Sequence, residues 1–257
     1  MNILLSGALG SMSRVVHQVA EQNGLTVLAG VDKQASHTLP FPVFENFHEC
    51  PLPDAIIDFS NPLVLPRLLE YAIQNNLPAV IGTTGMSEAD YRMIDEAARK
   101  IPIFFTFNLS LGVNLLVALA QQATAILGEG YDIEIIEKHH NRKIDAPSGT
   151  AVMLANAIAK TTPFTPELVY DRHTIRKSRD PHEIGISSIR GGTIVGDHDV
   201  IFSGLDEILT LSHSARSRGV FATGAVRAVQ YILGKPAGLY DMTNMLQFSF
   251  DPNRSND

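Results

Sequence analysis

The residues best able to do chemistry are concentrated in one stretch: Glu137-Lys138-His139-His140-Asn141-Arg142-Lys143-Ile144-Asp145-Ala146-Pro147-Ser148-Gly149-Thr150-Ala151. Four basic or titratable side chains, His139, His140, Arg142 and Lys143, fall on a polar loop that separates a strand pattern from a helix pattern. In a chain of formal net charge −7 such a cluster needs a reason, and an anionic substrate is the simplest. Ser148, Gly149 and Thr150 then open the helix, which would turn backbone N–H groups and two hydroxyls towards one point. That arrangement suits a carboxylate. An imidazole and an ammonium beside a carboxylate pocket are the parts needed to protonate a substrate during a reduction. The plainer alternative is a solvated basic face followed by a capped helix start. Basic loop and anion-binding helix start together favour function.

A second constellation opens the chain. Gly7-Ala8-Leu9-Gly10-Ser11-Met12-Ser13 sits where a first strand turns into a first helix. Gly7 permits the tight turn, Gly10 lets backbone approach a pyrophosphate, and the helix N-terminus offers N–H groups to the anion. The third glycine of this dinucleotide fingerprint is Ser13 here, so the match is two of three. Context strengthens it, because Asp32 closes the next strand, where an acidic residue accepts from the ribose hydroxyls of NAD. Lys33 beside it offers a partner for the 2′-phosphate of NADP, or is a solvated surface lysine. The turns Phe59-Ser60-Asn61-Pro62 and Gly82-Thr83-Thr84-Gly85 follow later strands, where they line a nucleotide crevice or serve as ordinary turns.

Competing chemistries are poorly supported. His173, His182, His198, His213 and Cys50 show no zinc-type spacing beside the His139-His140 pair, so no metal is expected. There is no GxSxG elbow for a serine hydrolase. Acyl transfer in the manner of a semialdehyde dehydrogenase needs a cysteine nucleophile, and Cys50 lies between His48-Glu49 and Pro51 without catalytic context. A regulatory protein that senses NAD(P) and has lost catalysis would be expected to erode the basic loop, which is intact.

These residues must be carried by elements, and the periodicity supplies them. Residues 2–6, 26–31, 55–59, 79–81 and 103–107 are short apolar runs. Between them, helical spacing appears over 14–23, 63–74 and 87–100, the last opened by a capping-box pattern at Ser87 and Asp90. Alternation of this kind predicts an α/β fold with a Rossmann-type parallel sheet covered on both faces. Past Asn108 the habit changes to a smaller α+β domain with a mixed sheet. It holds a long apolar helix over 113–127, a strand over 132–137, a helix over 150–160 and antiparallel strands within 184–213 around the turn Gly191-Gly192. A last helix over 220–233 resembles those of the first half. The expected division is therefore 1–108 with 218–257 for the dinucleotide, and 109–217 for substrate and oligomerisation. The tail 251–257 is expected to be disordered.

Composition sets the outer limits. At 257 residues and 45% hydrophobic the chain can bury a large core, and a single cysteine excludes an internal disulfide framework and suits a reducing cytosol. The acidic balance disfavours general nucleic-acid binding. No basic n-region opens the chain, and the uninterrupted apolar runs are too short to span a bilayer, so a soluble cytoplasmic protein with no membrane partner is expected.

The segment from Glu137 to Ala151 matches the pattern E-x-H-H-x-x-K-x-D-A-P-S-G-T-A in full, and on it the chain resembles the dihydrodipicolinate (4-hydroxy-tetrahydrodipicolinate) reductase family of lysine and diaminopimelate biosynthesis. The likeness extends to Asp58-Phe59-Ser60, Gly82-Thr83-Thr84-Gly85, Asn108 to Asn114, Arg190-Gly191-Gly192, Val195-Gly196-Asp197-His198, Gly224 to Arg227 and Gly238 to Met242. The resemblance implies NADH and/or NADPH as cofactor, with hydride delivered to C4 of an unsaturated heterocyclic dicarboxylate. It implies His139 and Lys143 as catalytic residues, and His140, Ser148, Gly149 and Thr150 as substrate ligands. It places the cofactor against Gly7, Ala8, Leu9, Gly10, Ser11, Met12, Asp32, Lys33, Gly82, Thr83 and Thr84, and against Thr106, Phe107, Asn108 and Leu109. It implies a homotetramer built through the second domain.

Overall fold

In the computed structural model, which describes residues 1–174 and 176–247, the strands in chain order are β1 (Asn2–Ser6), β2 (Thr26–Val31), β3 (Val43–Phe44), β4 (Ala55–Asp58), β5 (Ala79–Ile81), β6 (Pro102–Phe105), β7 (Asp132–His139), β8 (Glu167–Val169), β9 (Glu183–Arg190), β10 (Gly196–Ser203), β11 (Ile208–Ala215) and β12 (Gly238–Tyr240). The α-helices are α1 (Ser11–Gln22), α2 (Leu65–Gln74), α3 (Glu88–Ala98), α4 (Leu111–Leu127), α5 (Gly149–Ala159), α6 (Gly219–Ile232) and α7 (Met242–Leu246). The chain divides into two compact units, Met1–Leu109 with the chain from Phe221, and Ser110–Val220. The tail 251–257 lies outside the described residues.

The first unit is a seven-stranded sheet in the order β12-β6-β5-β4-β1-β2-β3, with every pairing parallel. Such strands are covered on both faces, which is why β4 reads Ala55-Ile56-Ile57-Asp58 and is buried at each position. The core gathers Leu4, Ile56, Ile81 and Ile103 from the sheet with Leu65, Leu68 and Ala72 from α2 and Ile94 from α3. The capping box expected at α3 is present: Asp90 N–H donates to Ser87 Oγ at 3.3 Å, and Ser87 N–H donates to the Asp90 carboxylate at 2.7 Å. The chain reverses its strand order between β1 and β4, and in doubly wound sheets ligands bind beyond the strand ends at that point.

The second unit is a mixed five-stranded sheet, β11-β10-β7-β9-β8. Strands within 184–213 alternate in direction as expected, and the correction is to their pairing, since the first two are not neighbours. β9 lies parallel to β7, and β7 sits between β9 and β10, so Gly191-Gly192 ends a strand without making a hairpin. Only β10 and β11 form an antiparallel pair of sequence neighbours. Leu116, Ala120 and Ala123 of α4 and Leu154, Ala155 and Ile158 of α5 bury the face carrying Ile133, Ile135, Val200 and Phe202.

A second correction concerns α4. With the turn that follows, Leu111–Gly130 is long and apolar enough to cross a membrane by length and composition, with a mean hydropathy of 1.5. Counting uninterrupted apolar runs missed it, because Asn114, Gln121 and Gln122 break the run without adding charge. Its buried Leu116, Ala120 and Ala123 belong to the core of the second unit.

Candidate active site

In the first unit the loop after β1 is fixed by backbone bonds. The N–H groups of Gly7 and Ala8 donate to Val31 O at 2.9 and 3.1 Å. Gly7 has φ +76°, and a Cβ there would lie 2.6 Å from Phe59 O, so both the backbone conformation and the space demand glycine. Ser13 is buried and donates its hydroxyl to Gly7 O at 2.8 Å. The departure from the three-glycine fingerprint thus satisfies a loop carbonyl. Asp32 accepts from Leu9 N–H at 2.8 Å and from Lys33 N–H at 2.7 Å, which ties the end of β2 to the glycine loop. A cleft of about 620 Å³ lies here, lined by Gly7, Leu9, Gly10, Asp32 and Lys33. Glu45, Asn46 and Arg67 also line it, and sequence reasoning did not single them out. A dinucleotide fits the donor set: an acidic residue at the end of β2, a helix N-terminus, and a glycine whose missing side chain keeps the loop close to its neighbour.

Asp58, at the end of β4, is buried and joins two of the turns expected to face the cofactor. It accepts from Ser60 Oγ and from Thr83 Oγ1, each at 2.6 Å. Burial pushes its pKa up, against the pull of bonds from Ser60, Thr83 and Ser6. The Thr83 hydroxyl is therefore spent inside the fold, while Thr84 is exposed. Thr106 donates to Asn108 O at 3.1 Å, Leu109 is buried and Phe107 is exposed.

In the second unit β7 carries Glu137 and His139 on one face, two residues apart. Glu137 is fully buried. Its Oε2 lies 2.6 Å from His139 Nδ1, and its Oε1 accepts from Ser148 N–H at 3.1 Å. Arg190, paired with His139 in the β7–β9 register, donates from both terminal nitrogens to the two Glu137 oxygens at 2.8 and 2.7 Å. Burial opposes ionisation of Glu137, but bonds from Arg190, Ser188 and His139 outweigh it and bring the carboxyl down to about 2. Ser148 caps α5 through Ala151 N–H at 3.2 Å, and its Oγ lies 3.0 Å from His198 Nε2. Burial, with His139 nearby, depresses the His198 pKa to about 4.

The structure therefore brings His139 to the start of α5, as the sequence suggested, through a carboxylate that the sequence did not mark as functional. The Ser148 hydroxyl is occupied by the α5 cap and His198, whereas Gly149 is exposed in the first turn. Lys143 is paired with Asp145 at 2.9 and 2.7 Å, and this ammonium lowers the Asp145 pKa. His140 accepts from Lys143 N–H through its carbonyl at 3.1 Å. Among the described residues no group of three or more His, Cys, Asp or Glu side chains is placed to hold a metal.

These ionisations set an expected acid response. His198 at about 4 in the fold, against an ordinary 6.5, means that the unfolded chain takes up the proton first. Stability falls as pH drops from about 6.5 to about 4, and burial of His213 acts in the same direction. Glu137 and Glu183, each brought down to about 2, contribute stability that is present above about 4.5 and is lost as pH falls towards 2. Thermal melts across this range should fall in both windows, and His198→Gln should flatten the upper one. A flat melting temperature from pH 6.5 to 4 in the parent protein contradicts the assignment.

A doubly wound sheet with such a cleft, joined to a mixed-sheet unit that carries a clamped imidazole, is the plan of a two-domain nicotinamide oxidoreductase. Residues 1–109 match the family described as dihydrodipicolinate reductase, N-terminus, and residues 112–246 its C-terminus. The chain is 46% identical to the 4-hydroxy-tetrahydrodipicolinate reductase of Caldanaerobacter subterraneus subsp. tengcongensis, over 96% of this chain and 98% of that one. It is also 46% identical to the Clostridium novyi enzyme of the same name, over 95% and 98%. Among solved structures, a dipicolinate-bound dihydrodipicolinate reductase from Paenisporosarcina sp. TG-14 superposes with TM-score 0.78 at 25% identity, over 95% of this chain and 98% of that one. A probable dehydrogenase from Thermotoga maritima shares the fold at TM-score 0.63 and 12% identity, over 96% and 93%. The chain belongs to the dihydrodipicolinate reductase family.

Proposed function

We propose that this chain reduces 4-hydroxy-tetrahydrodipicolinate (dihydrodipicolinate) to tetrahydrodipicolinate in lysine and diaminopimelate biosynthesis, with His139 and Lys143 as its catalytic residues. The observation that carries the reading is the fold of the unbroken Glu137–Ala151 segment, in which the His139 imidazole is held beside the start of α5. When bound, NADH or NADPH supplies the hydride for ring C4. Gly7, Gly10 and the α1 N-terminus receive the pyrophosphate, assisted by Ala8, Leu9, Ser11 and Met12. Asp32 takes the ribose hydroxyls and Lys33 a 2′-phosphate; both line the cleft, so dual use is expected. Gly82, Thr84, the Thr83 backbone and residues 106–109 serve the nicotinamide end.

Once the 4-hydroxyl has left as water, addition of hydride to ring C4 leaves the heterocycle one proton short. His139 provides it, directly or through water, and the Lys143 ammonium stabilises the charge that develops on the ring. Gly149, Thr150 and His140 hold the ring carboxylates, with Ser148 fixing the helix start that presents them. The first unit is the dinucleotide domain and the second the substrate and oligomerisation domain. The sheet face of the second unit that is not packed on α4 and α5 carries exposed Ser187, Ile189 and Ile208, which supports a homotetramer built on that face. A cytoplasmic location fits the use of a nicotinamide pool.

The test is loss of reduced-nicotinamide absorbance, with substrate generated freshly from pyruvate and aspartate semialdehyde by the preceding synthase and both cofactors run in parallel. Rapid, substrate-dependent oxidation is expected with each. A folded protein that binds NADH and oxidises neither cofactor is a sensor, and the reading fails.

A further inference from the structure

We propose that Glu137, clamped by Arg190, is a positioning residue for the proton transfer: it fixes the His139 ring with its hydrogen on Nδ1 and leaves Nε2 to exchange a proton with substrate. This rests on the role given above to His139. The Glu137 oxygens meet both nitrogens of the Arg190 fork, the His139 ring and Ser148 N–H, with a further bond from Ser188, so little freedom remains to the carboxylate. Because Glu137 is ionised, it can only accept, and a 2.6 Å approach then requires the hydrogen to sit on Nδ1. The neutral ring is left with a bare Nε2, and the cationic ring with an Nε2–H to give away.

The surroundings of Nε2 agree with that assignment. Gly196 on β10 lies against it, and a Cβ at that position would stand 3.0 Å from His139 Nε2. A glycine here leaves free the space beside the exchanging nitrogen that a Cβ would take. The His198 ring, edge-on to His139 at a centroid distance of 5.3 Å, restrains the imidazole plane. Through Ser148 N–H the same carboxylate also holds the start of α5. One buried group thus sets the spacing between the proton donor and the helix start that receives the substrate carboxylate. A Glu–Arg pair with a purely structural role would need none of these relations to His139.

The test is a double-mutant cycle with a spectroscopic arm. Glu137→Gln should lower kcat about ten- to hundredfold with NADH affinity unchanged, and Glu137→Gln in a His139→Gln background should cost little more, because the two act as a unit. Nitrogen-15 NMR of the wild-type His139 ring needs no variant: a protonated Nδ1 and unprotonated Nε2 in the neutral form support the proposal, and the opposite tautomer overturns it. His139→Gln at full activity would remove the catalytic role on which the proposal rests. His139→Gln crippled while folded Glu137→Gln keeps wild-type kcat overturns the proposal alone. Multiplicative losses in the double variant also overturn it, since Glu137 would then act independently of His139. If Glu137→Gln does not fold, Arg190→Lys keeps the charge but loses the fork; a wild-type His139 NMR signature and kcat in that variant count against the clamp.

Discussion

His139→Gln lowers kcat by at least tenfold, and on the order of a hundredfold if the imidazole is the sole proton source, while the melting temperature and NADH affinity stay close to those of the parent. General acid–base catalysis by a placed side chain contributes about 10²- to 10⁴-fold, and glutamine retains hydrogen-bonding capacity without an imidazole to give or take the proton. The fold should survive, because Glu137 keeps Arg190 and Ser148 N–H as donors when the imidazole is replaced. Lys143→Ala should also lose at least tenfold in kcat, for a different reason. Its ammonium belongs to a loop ion pair with Asp145, whose side chain is largely exposed, and pairs of that kind add little to stability. Alanine therefore removes a charge near the reaction at small cost to folding. Steady-state rates with saturating NADH, with circular dichroism on each variant, check both. Full activity in both variants would falsify the catalytic assignment while leaving family membership untouched.

Much of this organisation is legible in local sequence. Parallel strands covered on both faces are short apolar runs, and 2–6, 26–31, 55–59 and 79–81 fall on β1, β2, β4 and β5 because the signal is burial itself. The α3 capping box and the start of α5 are readable for a similar reason, since a helix end must satisfy its own N–H groups within a few residues. β3, β8 and β12 escape such reading. Each has two or three residues, too few for a period, and lies at an edge of its sheet, where burial is incomplete and leaves no unbroken apolar run. The neighbour of β9 is hidden likewise: Gly191-Gly192 is a good turn, but strand order is decided by β7, which inserts between β9 and β10. The same division runs through the site. The Glu137–Ala151 segment is contiguous and stands out. The groups that make it work pair across large separations: Arg190 with Glu137 over 53 positions, His198 with Ser148 over 50, and Thr83 with Asp58 over 25. Spacing rules for helices and strands say nothing about contacts of that length. The local signal that could have marked the clamp is a strand glutamate two places before a histidine, which puts both on one face of β7.

Gly224→Ala should be among the most damaging single-methyl changes in the first unit, although helix propensity argues the opposite. In an exposed helix interior, alanine is favoured over glycine by about 1 kcal/mol. Gly224 is buried in α6, and a Cβ built there would fall 1.7 Å from Leu109 O and 2.7 Å from Leu109 C. That partner is backbone, which cannot rotate out of the way as a side-chain end would. Either α6 must lift or the stretch ending at Leu109 must shift. Overpacking of a tight core costs about 1–3 kcal/mol, and more where backbone has to move, so the steric cost exceeds the gain in propensity. For a domain of this size the melting temperature should fall by several degrees. Function should suffer with it, because residues 106–109 are assigned to the cofactor and their geometry, set by Thr106 donating to Asn108 O, ends at the residue that the methyl displaces. A matched control is Gly130→Ala, where no atom lies within 4 Å of the added Cβ and the melting temperature should hardly change. Scanning calorimetry together with NADH titration separates the two consequences. A lower melting temperature with parental NADH affinity means that α6 gives way while the 106–109 stretch stays in place. Weaker NADH binding with the fold retained means that the stretch moves and that it meets the cofactor. If Gly224→Ala melts no lower than the parent protein, close approach of α6 to the Leu109 backbone is not what requires glycine at this position.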